Sequence, residues 1–430
     1  MHRRVHYAWA VFAATAVLSF VGFGLTVNTS SLYWASLEKD LGVPLSSVSL
    51  MGTVTGIAGA VALLGAGSLF QKIDVRWALG GMIVAATLAY GLSAVAPGLV
   101  VLYIANVVLG AVKAIAFGFV IPLLLGNWFD RHLGLVVGIT GALTAVGGAV
   151  FSPIIGSVIE SSGWRTGYVV TGVIVLVTLL PLALFVVRLA PTGDQKPYGW
   201  TPAEPGAVEA ALPTVGVPAS RAYRSAPFYG FVAMGILLQL TGALVQHIPT
   251  YFTTIGIGLT AASSIYALLL IGASVGKLAI GAAIDHLNPV LVAAVFVAIA
   301  IGGWGILLAF RGDAVLSTGS FMAGIGQAVN LVAVPVLIRT AFGAKDYGKI
   351  LAKVLVAGSL ANAGGVYLHG LLYSATGSYR LSLSLDMGFY AVAFVLIVLA
   401  LPAGRRLLRR ETAAPAVDAA PAPVAGSGVA

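Results

Sequence analysis

Charge is what this chain has least of. Only 9% of its 430 residues are Asp, Glu, Lys or Arg, where a soluble protein would carry about 25%. Cysteine is absent, which excludes disulfides, thiolate nucleophiles and cysteine-bound metals. Apart from His2 and His6, the 6 histidines are scattered along the chain, and no metal site is expected. Carboxylates are fewer than bases, 14 against 23, and the long apolar stretches hold almost none. No nucleophile, base and orienting group cluster together, so the chain does not read as an enzyme and calls for no cofactor. The glycine-rich run GALTAVGGAV lacks the following lysine of a phosphate-binding loop, which argues against nucleotide binding.

What is present is apolar. Hydrophobic residues make up 59% of the chain, with a mean hydropathy of +1.01. The 54 glycines suit closely packed membrane helices. Apolar runs long enough to span a bilayer fall at 8–28, 47–70, 77–96, 99–126, 133–158 and 166–188. Six more fall at 226–252, 260–283, 289–310, 315–340, 348–373 and 382–402. The start, MHRRVHYAWAVF, has a basic flank and no small-residue cleavage site, so it reads as an uncleaved first helix. The sequence predicts an all-α membrane protein with twelve transmembrane helices in two pseudo-symmetric bundles. Residues 1–188 form the N-terminal six-helix bundle and 225–403 the C-terminal one. Between them, 189–224 is a proline-rich aqueous linker, and 404–430 is a tail with the composition of a disordered segment.

The bases set an orientation. With both termini in the cytoplasm of a cell (inner) membrane protein, the inner segments hold Arg3, Arg4, Lys72, Arg76, Arg131, Arg188, Lys196, Arg221 and Arg224. They also hold Arg339, Lys345, Lys349, Arg405, Arg406, Arg409 and Arg410, while the outer loops hold only Lys39, Arg165, Arg311 and Arg380. This obeys the positive-inside rule. The net charge of +9 is therefore a topology signal facing anionic lipid, not a nucleic-acid patch. The pairs Asp74 and Asp285, Asp130 and Asp346, and Arg165 and Arg380 are each separated by about 215 residues. That suggests a duplicated six-helix unit with a site between the halves.

Several stretches carry a family resemblance: LYWASLEKDLGV (32–43), NWFDRHLGLVVGITGALTAVGG (127–148), SGWRTGY (162–168) and GKLAIGAAID (276–285). With them the chain resembles the major facilitator superfamily, and most of all its bacterial oxalate:formate antiporter and monocarboxylate transporter branch. The resemblance implies alternating access, with helices 1, 2, 4, 5, 7, 8, 10 and 11 facing a central cavity.

Three of the 23 bases stay unassigned: Lys113, Lys277 and Lys353. All fall on helices that the resemblance turns toward the cavity. A cation inside the bilayer costs roughly 2.5–3.5 kcal/mol, and the spans offer one carboxylate, Asp386, near the outer end of helix 12. Such a cavity suits a diffusible anion. Lys277 lies eight residues before Asp285, about 12 Å along a helix, beyond the reach of a snorkelling side chain. Carriers of the branch bind the substrate carboxylate with a base at that point. Lys353, about 10 Å into helix 11 from Asp346, matches the oxalate carrier's second cation, or else snorkels inward. Lys113, in VVLGAVKAIAFG, has no counterpart in the family and is either a substrate contact or a packing or gating residue.

His247 is the candidate proton carrier, unless it is an exposed interfacial histidine; His369 shares that ambiguity. Asn28, Thr29, Gln239, Gln246, Gln327 and Asn330 are either substrate hydrogen-bond partners or interhelical ties. In the family the aspartates of the helix 2–3 and 8–9 loops help lock the inner gate. That implies gating roles for Asp74, Arg76 and Asp285, with Asp130 and Asp346 at the facing helix starts. The match is imperfect, with Phe70 where the motif has glycine and His286 where it has arginine. Ala273 stands where animal monocarboxylate carriers have an aspartate, and Asn28 near their helix 1 lysine, so their lactate–proton mechanism does not carry over directly. The expected function is secondary transport of a small mono- or dicarboxylate by a monomer, with proton symport or anion exchange. The rivals are a proton-coupled efflux carrier for other molecules and a non-transporting carboxylate sensor.

Overall fold

The computed structural model describes residues 6–191, 195–200, 216–330 and 334–413; of Gly67, Ser68, Gln71 and Asp285 only the backbone is described. Most of the proposed linker core and the tail beyond 413 lie outside these residues. Among the described residues every extended element is a helix, accompanied by two isolated backbone bridges, Phe129 to Tyr198 and Gly216 to Gly343.

The first half contains α1 (Tyr7–Leu41), α2 (Leu45–Lys72), α3 (Val75–Ala94) and α4 (Leu99–Trp128). The run Leu133–Phe185 is two helices joined at Gly163, whose φ of 82° and ψ of 163° break it into α5 and α6. A side chain there would be strained. The second half contains α7 (Ala226–Val245), α8 (Leu259–His286), α9 (Pro289–Ala309), and α10 in two pieces (Asp313–Ala328 and Val334–Phe342). It ends with α11 (Tyr347–Thr376) and α12 (Arg380–Ala413). Each of the twelve expected spans falls on one of these helices, the tenth on the two pieces of α10.

Caps sharpen the internal repeat. The Asp74 carboxylate accepts from the Arg76 N–H at 2.8 Å and opens α3. The Asn288 side chain accepts from the Val290 N–H at 2.9 Å and opens α9. Each such cap is worth about 1 kcal/mol. Asn288, rather than Asp285, therefore stands in the capping place of Asp74; Asp285 lies in the last turn of α8.

The halves meet where α2 packs on α11 and α5 on α8. These contacts are tight at the end of the bundle away from the termini. Thr53 donates to the Ala363 carbonyl at 2.5 Å, and the Ser46 N–H to the Ser374 hydroxyl at 3.1 Å. Gly370 and Gly156 press so close to the opposite half that a Cβ would lie 2.0 Å from Ser49 Oγ and 2.2 Å from Ser263 Oγ. The Glu160 carboxylate accepts from the Thr260 N–H at 2.9 Å and from its hydroxyl. Followed toward the termini, the same helix faces come apart. On α2 and α11, Leu64 is 87% exposed and Val356 60%; on α5, Gly134, Gly138 and Gly141 are exposed. The bundle is closed at the far end and open at the end that carries the termini.

Candidate substrate cavity

At the base of that opening lies a cavity of about 340 Å³ between the halves. Its wall begins where α1 is interrupted: regular helix stops at Thr26 and a tighter turn runs from Ser30 to Tyr33. Thr26, Thr29, Ser30, Tyr33 and Trp34 face the cavity from here. Interrupted helices at mid-depth are a recurrent way to expose polar groups inside a membrane protein.

One lining residue is charged, and it is Lys113. Gly110, one turn earlier, lets α4 touch α2; a Cβ there would lie 2.3 Å from the Thr55 carbonyl oxygen. From Lys113 the helix widens into a π-helical turn, Lys113–Phe119, a distortion frequent at functional sites. Lys113 is only 9% exposed, and among the described residues it has no ion pair and no side-chain hydrogen bond. Around it are amides and hydroxyls. Asn106 stands two turns before it on the same face of α4, and Gln239, Gln246, Ser359 and Asn362 come from α7 and α11. Tyr33 and Tyr168 stack in parallel at 4.0 Å, and Tyr33 shares a hydrogen bond with Thr171 at 2.9 Å. The lining thus carries one unneutralised cation, a ring of neutral polar groups and no carboxylate.

The other sequence-predicted residues are placed differently. Lys277 does not line this cavity. It lies one heptad beyond Leu270, which packs against Gly148 of α5, so it stands about 10 Å further toward the open end on the same face. It is half-buried and without an ion pair among the described residues. Lys353 is exposed at the termini end, its ammonium 3.6 Å above the Tyr223 ring. Gln239 and Gln246 line the cavity together, as their shared helix face implies. Asn28 is a tie between helices, donating to the Thr144 carbonyl at 2.8 Å. Asn330 reaches the Leu238 carbonyl at 3.5 Å, and the Gln327 amide nitrogen is buried without a partner among the described residues.

His247 is neither exposed nor in the cavity. It is fully buried, with Nδ1 2.9 Å from the Tyr379 hydroxyl and Nε2 2.8 Å from the Val366 carbonyl. A neutral ring satisfies both contacts, since Nε2–H donates and Nδ1 accepts. Trp34 meets it edge-on at 4.9 Å across the closed end.

Of the gating residues, Asp74 caps its own helix and Arg76 donates to the Val187 carbonyl at 3.2 Å, so both contacts stay in the first half. Asp130 is exposed before α5. Asp346 accepts from the Ala219 N–H at 2.9 Å and pairs with Lys349 at 2.9 Å. These contacts, the Ala219 N–H foremost, hold the Asp346 carboxyl below the usual carboxylate range. The Asp285 side chain lies outside the described residues.

The comparison with known families decides the class: the Major Facilitator Superfamily matches residues 12–317. The chain belongs to this superfamily. It is a multi-pass membrane transporter and not an enzyme. Over 414 residues it is 27% identical to an uncharacterized 38 kDa protein in the 23S RNA operon of Thermoproteus tenax, covering 94% of this chain and 97% of that one. It is 30% identical to the oxalate:formate antiporter of Oxalobacter formigenes over 162 residues, 37% of each chain. It is 24% identical to the MFS-type transporter pynF of Aspergillus niger, covering 65% of this chain and 62% of that one. Among solved structures, a bacterial homolog of the human lysosomal transporter Spinster, inward-facing and unoccupied, superposes with a TM-score of 0.65. The identity is 14%, over 94% of this chain and 97% of that one. The nucleoside transporter NupG superposes at 0.67 with 12% identity, over 91% and 99%. At these identities the likeness is one of fold.

The sequence missed the tyrosine wall, because Tyr33, Tyr90 and Tyr168 come from three helices and meet only in the fold. Asn106 carried a readable signal: it stands seven residues before Lys113, on the same helix face.

Proposed function

We propose that this transporter carries a small organic anion, a mono- or dicarboxylate of formate, oxalate or lactate size, by alternating access. The supporting observation is Lys113: a largely buried lysine on the cavity wall with no ion pair among the described residues. Anion binding supplies the missing partner, and charge-assisted hydrogen bonds of this kind are worth roughly 1.5–3 kcal/mol each. Asn106, Gln239, Gln246 and Asn362 are placed to hydrogen-bond the remaining carboxylate oxygens. The parallel tyrosines limit the length of what fits. Lys277, further along the opening, acts as a relay that draws the anion toward the cavity, and Lys353 attracts anions at the mouth.

In this reading the termini are cytoplasmic in a cell membrane, so the conformation is inward-facing with its outer gate closed. The bundles 1–188 and 225–403 rock about the cavity, joined by the linker 189–224, in a carrier that works as a monomer. The part-length likeness to the oxalate:formate antiporter agrees with the substrate class. The test is uptake into liposomes of labelled oxalate, formate and lactate beside a nucleoside and an organic cation. Saturable uptake confined to the carboxylates is expected. Uptake of the cation or nucleoside alone would overturn the assignment.

A further inference from the structure

Behind the cavity, the second half buries a second polar site whose residues do not line it. Asp386 on α12 is completely buried, and among the described residues neither carboxylate oxygen has a hydrogen-bond partner. His369 on α11 is equally buried; its Nε2 is 3.7 Å from Asp386 Oδ1 and 3.4 Å from the Leu240 carbonyl, and its Nδ1 is unpartnered. One turn before Asp386 on α12, Ser382 is also buried, its hydroxyl without a partner among the described residues. Structures seldom leave so many buried polar atoms unmatched in one place without a use for them.

We propose that His369 and Asp386 together form a proton-binding site that fills and empties during the transport cycle. This rests on the anion-transport reading above. In the emptied state the pair is a carboxylate beside a neutral imidazole, with a net charge of −1. One proton, taken up on the carboxylate or the ring, makes the pair neutral. One proton taken up with one monocarboxylate leaves the loaded carrier with no added charge.

The groups facing the pair are few. Tyr390 lies on the same helix as Asp386, its hydroxyl against Thr241 of α7 and Trp304 of α9, neither of which titrates. The His247 ring is 6.0 Å from that of His369, with Tyr379 beyond it. Among the described residues no lysine or arginine pairs with Asp386. The charge of the pair is therefore set by its own proton.

Position supplies the coupling. His369 directly precedes Gly370, the residue pressed against Ser49 where the far end is closed. It also contacts the carbonyl of Leu240, next to the cavity-lining Gln239. A proton on the pair thus acts on the closing contact and on the cavity wall through α11 and α7.

The experiment uses the full chain in liposomes and has two arms. In the first, infrared difference spectra are recorded over a pH titration without substrate. A protonated-carboxyl band is expected in the wild type, lost in Asp386→Asn and shifted in His369→Gln. In the second, labelled formate is offered with acid outside, and separately to formate-loaded vesicles without a gradient. One proton per anion gives roughly tenfold accumulation per pH unit. Asp386→Asn should lose that accumulation and keep formate exchange. Wild-type uptake indifferent to the gradient, a variant that accumulates as well as wild type, or an unchanged band in Asp386→Asn overturns the proposal. If Asp386→Asn fails to fold, an unshifted band in His369→Gln overturns it equally. A titrating band with no carboxylate movement in either mode supports the proton site while removing the anion reading of the cavity.

Discussion

Replacing Lys113 separates the two energies that its position combines. In the empty protein Lys113 is largely buried and has no ion pair among the described residues, a placement that costs up to roughly 3 kcal/mol on insertion scales. With a carboxylate bound, the same ammonium makes a charge-assisted contact worth roughly 1.5–3 kcal/mol. Lys113→Met should therefore stabilise the empty carrier, raising its Tm in detergent, by up to about 3 kcal/mol. It should also lose affinity for the anion by roughly 10- to 150-fold, since each 1.4 kcal/mol is a factor of ten. In the wild type, oxalate at a hundred times its Kd adds about 2.7 kcal/mol of stability; in the variant the same concentration should add only about 0.3–1.4 kcal/mol. Lys113→Arg keeps the charge and should retain part of the oxalate effect. The assay is thermal unfolding followed by intrinsic fluorescence, with and without oxalate or formate. A Lys113→Met protein that is less stable when empty yet still stabilised by oxalate as fully as the wild type would refute the reasoning, because Lys113 would then be a packing residue.

Other outcomes follow from individual contacts. Gly370→Val puts atoms where Ser49 Oγ already sits, so it should prevent closure of the far end. Because the chain lacks cysteine, single cysteines introduced there can report this as persistent labelling, and normal wild-type protection would count against the gate. Tyr33→Phe removes the hydrogen bond to Thr171 and should cost about 1 kcal/mol in anion affinity or stability, measured by the same thermal shift. The Asp346 carboxyl is held below the usual range by the Ala219 N–H and Lys349. Its contact is therefore complete at neutral pH and is lost only as pH falls through that lowered value. Hydrogen exchange at Ala219–Tyr223 should be slow at pH 7 in the wild type and fast in Asp346→Ala; equal rates would show that the contact does not hold this segment.

Much of the fold was legible because bilayer thickness dictates segment length and the scarcity of charge leaves few alternatives. The boundaries of α3 and α9 could be read from Asp74 and Asn288, whose side chains cap the next helix within two residues. The cavity was less legible. Lys113 and Lys277 bear the same insertion cost, and nothing in their local sequence says which one faces the centre. That depends on Gly110 letting α4 lean on α2 and on the π-helical turn that follows. Asn28 reads as polar and mid-membrane, yet the packing of α1 on α5 turns its amide to a backbone carbonyl. His247 reads either as a cavity proton carrier or as an exposed interfacial histidine, but the closed far end wraps it and satisfies both nitrogens. Asp386 was visible as the lone carboxylate of the spans; its pairing with His369 arises where α11 and α12 both pack on α7.

In the proposed function, an uncompensated Lys113 makes this cavity an anion site. It is tested most directly by the initial rate at which labelled oxalate enters formate-loaded liposomes containing wild type or Lys113→Gln. The account predicts saturable entry with the wild type and roughly 10- to 150-fold less with the variant. Equal rates in the two, or a wild-type rate no higher than that of protein-free liposomes, would contradict it.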